Sequence, residues 1–322
     1  MKTTTYLALT AVVLLNWSSL AWACSFSTAG CQDIGNTCGP SQVCAFNPEI
    51  GNCACRARSL ITPPLDPKFF ANQDFQAKVP SAFVLQPQTL PFVQQSLIKT
   101  RIQGHALFNV IHADGQLSDS ISRFSQLQVE AKLNILKKVF QMEVALLKIA
   151  PPQLIFDKKT LRATFFDFDP AHPSPGRVIL NPDLLFQDPI PYAPILFLIH
   201  ETRHSEQFQL AFGPKSDPGK LGQVYRSAFV VQRAILDKHL SVSFCDFLTL
   251  ANEYEAFQFG NLVTGALTSG KVDTTGMGTW ASQYLPNGEL RINLYNLAQK
   301  VGPSSLLRAF NEIEKGQYRP SH

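Results

Sequence analysis

Residues 200–204 of this 322-residue chain read His-Glu-Thr-Arg-His, and this short pattern constrains the fold more than any other part of the sequence. Because an α-helix turns once in about 3.6 residues, His200 and His204 lie on the same helix face, one turn apart. Two neutral imidazoles in that arrangement can bind one Zn²⁺, and Glu201 beside them is placed to act as a general base. The pattern therefore predicts a helix that carries a zinc site.

The apolar residues before the motif favour this helix. Residues 193–199 read Ala-Pro-Ile-Leu-Phe-Leu-Ile and run directly into His200, as expected for a helix that packs its apolar face beneath a site. Pro194 suits the first helical turn, where the missing N–H has no hydrogen bond to make. The alternative is an amphipathic helix in which both histidines are only packed and hydrogen-bonded, with no metal.

A catalytic zinc site needs three protein ligands and an open position. The residues directly after His204 contain no histidine at the spacing of the metzincin class. The remaining carboxylates lie in a helix-like run at 252–257, which reads Asn-Glu-Tyr-Glu-Ala-Phe. Glu253 and Glu255 are about 200° apart around a helix, so only one of them can face the metal. We predict Glu253 as the third ligand, with Glu255 as the alternative.

These residues resemble a known family. The sequence His-Glu-Thr-Arg-His-Ser-Glu-Gln at 200–207, with Glu-Tyr-Glu-Ala at 253–256, is similar to gluzincin-type zinc metallopeptidases that carry a third ligand in a Glu-x-x-Ala motif. Among these it looks most like the bacterial metallopeptidase domain that reads His-Glu-x-x-His-x-x-Gln and is found with extracellular contractile injection systems. The resemblance covers residues 175–260, and only the five-residue motif is highly specific.

The resemblance implies a zincin-like catalytic domain in which His200, His204 and Glu253 bind Zn²⁺ and Glu201 is the base. It also implies that an extended substrate lies along a strand edge beside the zinc helix. The chain departs from the family at Phe257, where related motifs usually carry an acid. Because that acid often supports a ligand histidine, the residues that hold the ligands of this site in place are expected to differ from those of the family.

The first 23 residues have the organisation of a secretory signal, with Lys2 at a charged start and an apolar core at 6–15. That core is shorter than a membrane span, and no later window approaches about eighteen apolar residues, so we expect no transmembrane segment. We therefore expect a secreted protein, periplasmic or extracellular. Lipidation of Cys24 would anchor it instead, although Trp22 is bulky where a lipidation signal usually has a small residue.

Six of the seven cysteines lie in a polar stretch at 24–58, which we predict to be a small disulfide-rich module, because exported chains with this cysteine density form disulfides. The sequence does not choose among their pairings. A zinc ribbon is the alternative, but paired Cys-x-x-Cys spacings are absent. Cys245 is predicted to be a buried free thiol, or the partner of a fifth cysteine if Cys24 is lipidated. The six cysteines are Cys24, Cys31, Cys38, Cys44, Cys53 and Cys55.

The rest of the chain predicts an α+β fold that is mainly helical, with a small β-sheet. Prolines interrupt the stretch at 59–95, which we interpret as a linker to a catalytic domain at 96–322. Apolar periodicity predicts helices and strands in this domain. The expected helices, besides the one that carries the motif, lie at 121–150, 221–239, 243–263 and 304–315, and the expected strands at 161–168 and 177–180.

Several other functions are disfavoured. The net charge of +4 is carried by dispersed basic residues, so no nucleic-acid surface is expected. The stretch at 213–220 superficially resembles a phosphate loop, but its spacing is wrong. Asp167 and Asp169 can contact a cation, although two acids at a strand end usually form a solvated turn. Candidates for an oxyanion donor, chosen by residue type alone, are Tyr225, Tyr254, Arg203 and His239.

The sequence thus predicts a secreted zinc metallopeptidase whose substrate is a protein or peptide. In this reaction Glu201 takes a proton from water and passes it to the leaving amine. Two alternatives remain open. One is a non-catalytic protein whose cysteine-rich module binds a glycan or a protein, and the other is a zinc amidase that acts on cell-wall material.

Overall fold

The computed structural model describes residues 42–47, 52–57, 90–188, 190–214, 221–237, 251–270, 280–285 and 287–302, with single positions between 305 and 313. Several predicted features lie outside these residues. They are the secretory signal, most of the linker, most of the helix at 304–315, His239, Cys24, Cys31, Cys38 and Cys245. The features at these positions stay predictions.

The cysteine-rich segment contains a β-hairpin. Strands β1 (Gln42–Asn47) and β2 (Asn52–Ala57) pair antiparallel, and the backbone register sets Cys44 opposite Cys55. The disulfide-rich character of the segment stays a prediction.

The remaining described elements are mainly helical, with one small sheet. This confirms the predicted α+β class and its mainly helical content. The sheet consists of β3 (Gln153–Phe156), β4 (Thr164–Asp167) and β5 (Arg177–Leu180). The helices are α1 (Leu90–Ala113), α2 (Gly115–Ser122), α3 (Val129–Leu147), α4 (Pro182–Leu185), α5 (Ala193–Phe212), α6 (Leu221–Asp237), α7 (Ala251–Leu267) and α8 (Leu294–Val301).

Two helical regions differ most from the predictions: no helix was predicted at 90–113, and the helix predicted at 121–150 is not continuous. Helix α1 begins at Leu90, inside the stretch predicted as a linker, because Pro91 occupies the first turn, where a helix does not need its N–H. The predicted helix at 121–150 is divided, since α2 ends at Ser122 and a short 3₁₀ turn precedes α3. Phe124 in that turn is buried in the core, so the apolar pattern continues through a break in the backbone.

The three-stranded sheet has β5 at its centre. Strand β3 runs parallel to β5, and β4 runs antiparallel to it, so β4 is an edge strand among the described residues. The strands at 161–168 and 177–180 were predicted, whereas β3 was not. Phe166 of β4 and Val178 of β5 pack in one core with Leu198 and Ile199 of α5, so the sheet lies directly against the helix that carries the motif.

Helix α5 is the centre of the domain and is buried along most of its length. It packs against α3, α6, α7 and the sheet, which explains why it is apolar on several faces. At the crossing with α7 a glycine allows close approach, because a Cβ atom at Gly260 would lie 3.3 Å from the carbonyl oxygen of Leu196. Within the described part of the chain, no helix combines the length and apolarity needed to cross a membrane.

The close approach at Gly260 predicts a difference between two glycines of α7. Gly265→Ala should stabilise the protein by about 0.5–1 kcal/mol, because alanine favours a helix and, apart from the helix's own backbone, no atom of the described residues lies within 4 Å of the added Cβ. Gly260→Ala should lose this gain, since the added methyl group meets backbone of the buried helix α5. Chemical denaturation of both variants measures the difference, and an equal gain in both would contradict the close packing of α5 and α7.

Candidate metal centre

Helices α5 and α7 bring three potential metal ligands together. The Nε2 atoms of His200 and His204 lie 3.0 Å apart, and Oε2 of Glu253 lies 3.3 Å from each of them. Tetrahedral zinc with bonds of about 2.0–2.1 Å sets its ligand atoms about 3.3–3.4 Å apart. The two Glu253 separations match this spacing and the His200–His204 separation is somewhat shorter, so the three atoms could hold a metal ion.

Glu201 lies beside these atoms, as the pattern predicts. Its carboxylate and the two imidazoles offer ligand atoms within 4.8 Å of one another. Glu201 is therefore a second carboxylate, besides Glu253, close to the two imidazole nitrogens. The 3.3 Å separation of Oε2 of Glu253 from both imidazole nitrogens favours Glu253 as the third ligand. Oε1 of Glu201 accepts a hydrogen bond of 3.0 Å from the hydroxyl of Thr164 on β4, which leaves Oε2 for a water molecule.

The pKa values of the ionisable groups at the site are shifted in different directions. Burial raises the pKa of the Glu201 carboxyl, and the neighbouring histidines and Thr164 offset only part of that effect. Burial lowers the pKa of His204, but Glu253, with smaller effects of Glu201 and Gln207, raises it more, to about 9. Burial likewise raises the pKa of Glu253, and the two histidines lower it more strongly. The site thus combines an anionic ligand with a base that burial makes more ready to accept a proton.

Glu255, the alternative third ligand, faces away from the histidines. Its carboxylate accepts hydrogen bonds from Arg203, at 2.9 Å from Nε and 2.6 Å from Nη2. This is the outcome that the angular separation of Glu253 and Glu255 on one helix requires. Burial raises the pKa of Glu255, and the Arg203 guanidinium lowers it more, so the carboxylate is charged.

Arg203 is the centre of a buried polar network that joins three helices. Besides Glu255 on α7, its guanidinium contacts Glu206 on α5 and donates to Oε1 of Gln103 on α1 at 2.7 Å. The guanidinium also lies 4.4 Å from the centre of the Phe259 ring, a favourable cation–π contact. The helices that carry the histidines and Glu253 are therefore tied together by a second set of contacts next to the metal ligands.

Polar side chains also support two of the three ligands directly. Gln232 on α6 donates from Nε2 to Oε1 of Glu253 at 2.7 Å, and Asn252 donates to Gln232 at 2.8 Å. His204 Nδ1 lies 2.8 Å from Oε1 of Gln207. Such outer partners orient ligand side chains and are part of what makes a metal site strong.

His200 lacks this support. Its Nδ1 atom is buried and has no hydrogen-bond partner among the described residues. The ring of Phe257 lies 3.9 Å away, centre to centre, in the place where the related motifs carry an acid. A buried polar atom without a partner costs about 1–3 kcal/mol, so His200 is held by packing at some expense of stability.

The other predicted candidates have different partners. The hydroxyl of Tyr225 lies 2.6 Å from Ser96 Oγ, and that of Tyr254 donates to the carbonyl of Ala281 at 3.2 Å. With Arg203 bound to Glu255, the polar groups of all three described oxyanion candidates are engaged elsewhere. The two acids at the strand end are also paired, Asp167 with Arg177 and Asp169 with His172.

Thr164 and Gln232 contact the site but were not predicted to do so, and Gln207, which is part of the quoted motif, was given no role. Gln232 could have been predicted to bind another polar group, because it falls on the buried face of α6 with Tyr225 and Phe229, where a polar side chain needs a hydrogen-bond partner. Thr164 lies in a predicted strand, but nothing in the sequence connects that strand to Glu201.

Comparisons of this chain with protein-family models, with curated proteins and with solved structures found no match. The likeness to gluzincins therefore rests on residues 200–207 and 253–256. It stays a prediction.

The buried network predicts that Arg203 is far more important for stability than an exposed arginine. Arg203→Met should cost about 3–5 kcal/mol, because it leaves buried carboxylates without their cation. Arg177→Met is the matched control, since it breaks an exposed pair with Asp167 that contributes about 0–1 kcal/mol. Urea denaturation of the two variants measures both values, and similar small losses would contradict the role given to Arg203.

Proposed function

We propose that this protein is a zinc metallohydrolase of the gluzincin type, with a zincin-like catalytic domain, that hydrolyses peptide bonds. The observation that carries the proposal is the convergence of two imidazole nitrogens and one carboxylate oxygen from α5 and α7, at separations of 3.0–3.3 Å. Glu201 lies next to this triangle on the same helix. A carboxylate oxygen at the same distance from both imidazole nitrogens supports this proposal, because it completes a set of three ligand atoms around one point.

His200, His204 and Glu253 would hold the zinc ion, which leaves one position open for water or substrate. Zinc bound in this way lowers the pKa of a water molecule and polarises the carbonyl group of the bond to be cleaved. Gln232 holds Oε1 of Glu253, so that Oε2 faces the histidines.

Glu201 is the general base in this proposal. The hydrogen bond from Thr164 fixes Oε1, and Oε2 takes a proton from the attacking water and passes it to the nitrogen of the leaving amine. A base must hold the proton briefly and release it again. The raised pKa of the buried Glu201 carboxyl suits both steps.

The position of β4 favours a peptide as the substrate. Thr164 stands on this strand, so the edge of the sheet lies next to the base. An edge strand presents N–H and C=O groups that can pair with an extended chain. A peptide held along β4 would bring its backbone carbonyl groups close to Glu201.

The N-terminal residues fit this activity. Residues 1–23 would direct export, and disulfides in the segment at 24–58 would be stable in an oxidising compartment. The substrate is then a protein or peptide outside the cytoplasm.

The proposal predicts that Glu201→Gln abolishes hydrolysis while zinc is retained. The amide keeps the size and the Thr164 contact of the side chain but cannot take a proton from water, so the rate should fall by about 10²–10⁴-fold or more. The assay uses a mixture of internally quenched peptides, with zinc measured in the same samples by mass spectrometry. Glu130→Gln, which removes an exposed carboxylate from the first turn of α3, is the control and should keep parental activity.

Three outcomes would contradict the proposal. Zinc-loaded parent protein that cleaves no peptide would argue for a binding protein. Release of fragments from cell-wall material, without peptide cleavage, would favour an amidase. Activity that survives Glu201→Gln would remove Glu201 from the mechanism.

A further inference from the structure

We propose that Gln207 is a positioning residue of the metal centre, which fixes the ring orientation and the proton position of His204 and is itself fixed by the buried Arg203–Glu255 ion pair. This inference rests on the proposed zinc site. It adds a role for residues that bind neither metal nor substrate.

The orientation of the Gln207 amide is determined by its surroundings. Its Nε2 donates to the carbonyl oxygen of Asn252 at 3.0 Å and also to the carboxylate of Glu255. Both of those partners are acceptors only, so the nitrogen must face them and Oε1 must face His204. The amide therefore cannot be flipped without losing two buried hydrogen bonds.

The fixed amide decides which nitrogen of His204 carries the proton. Oε1 of Gln207 lies 2.8 Å from Nδ1 and can only accept, so Nδ1 must donate. The lone pair of the neutral ring is then on Nε2, the atom that faces His200 and Glu253. Gln207 thus holds His204 in the tautomer that a metal requires.

The amide has a rigid support. Glu255 is buried and accepts hydrogen bonds from Arg203, and the hydroxyl of Thr100 on α1 donates to the same carboxylate. Because each group in this chain is buried and paired, the position of His204 is connected through side chains to α1 and α7. The two glutamates of the Glu-x-Glu sequence then have different roles, since Glu253 faces the metal position and Glu255 supports a ligand.

The other histidine provides an internal comparison. His200 Nδ1 has no acceptor among the described residues and lies against Phe257. Its proton position is therefore set by the metal alone. If Gln207 acts as proposed, the two imidazoles of one zinc site differ in the environment of their Nδ1 protons.

The test uses Gln207→Met, which keeps the approximate volume of the side chain but removes its acceptor and donors. We expect its zinc affinity to fall by about 10–100-fold, measured in competition with a chromophoric chelator. Gln209→Met on the same helix is the matched control. Its amide donates to the carbonyl of Ala150 at 2.8 Å and to Ser205 at 3.0 Å, away from the metal ligands, so the variant should keep parental affinity.

A second readout separates positioning from a general loss of structure. In zinc-loaded parent protein with ¹⁵N-labelled histidines, the Nδ1 proton of His204 should resonate at lower field than that of His200, because only the former has a hydrogen-bond acceptor among the described residues. In Gln207→Met the His204 signal should move towards the His200 signal, while a merely loosened fold would change both. The parent spectrum tests the idea even if the variant does not fold.

The outcomes distinguish this inference from the function on which it rests. A parent protein that binds no zinc would overturn both. Zinc binding in the parent with equal affinity in Gln207→Met, or equal Nδ1 proton shifts for His200 and His204 in the parent, would overturn the role of Gln207 alone.

Discussion

The buried ion pair between Arg203 and Glu255 is the interaction on which the geometry of the site depends. It fixes α5 against α7, so the two histidines of one helix meet Glu253 of the other at separations near 3.3 Å. A buried pair of this kind gains stability only when its hydrogen bonds are complete, and here Gln103, Gln207 and Thr100 complete them. The same contacts that satisfy a buried charge thereby set the distance between metal ligands.

Three glutamates at or beside the site differ in role because their surroundings differ. Glu253 faces both imidazoles and has the chemistry of a ligand, while Glu201 is held by Thr164 at the edge of the sheet and has that of a base. Glu255 is neutralised by Arg203 and supports the fold. Burial alone would raise the pKa of all three carboxyl groups, but the histidines lower that of Glu253 and Arg203 lowers that of Glu255, so only the pKa of Glu201 is raised overall.

The sequence predicted those parts of the site that depend on one helix. The spacing of His200 and His204 is local, and the angle between Glu253 and Glu255 is a property of the helix itself. The contact of Thr164 with Glu201 joins residues 37 positions apart, and that of Gln232 with Glu253 joins residues 21 positions apart, so both depend on how elements pack. The break between α2 and α3 was missed for a related reason, because Phe124 keeps its burial while the backbone turns.

X-ray absorption at the zinc edge of the purified, zinc-loaded protein tests the central claim most directly. The account predicts near-stoichiometric zinc surrounded by nitrogen and oxygen only, with the scattering pattern of two imidazoles, which should fall to one in a folded His204→Ala variant. Absence of zinc after reconstitution would contradict the account. Zinc–sulfur scattering would contradict it equally, since it would place the metal on the cysteines of the N-terminal segment instead of between α5 and α7.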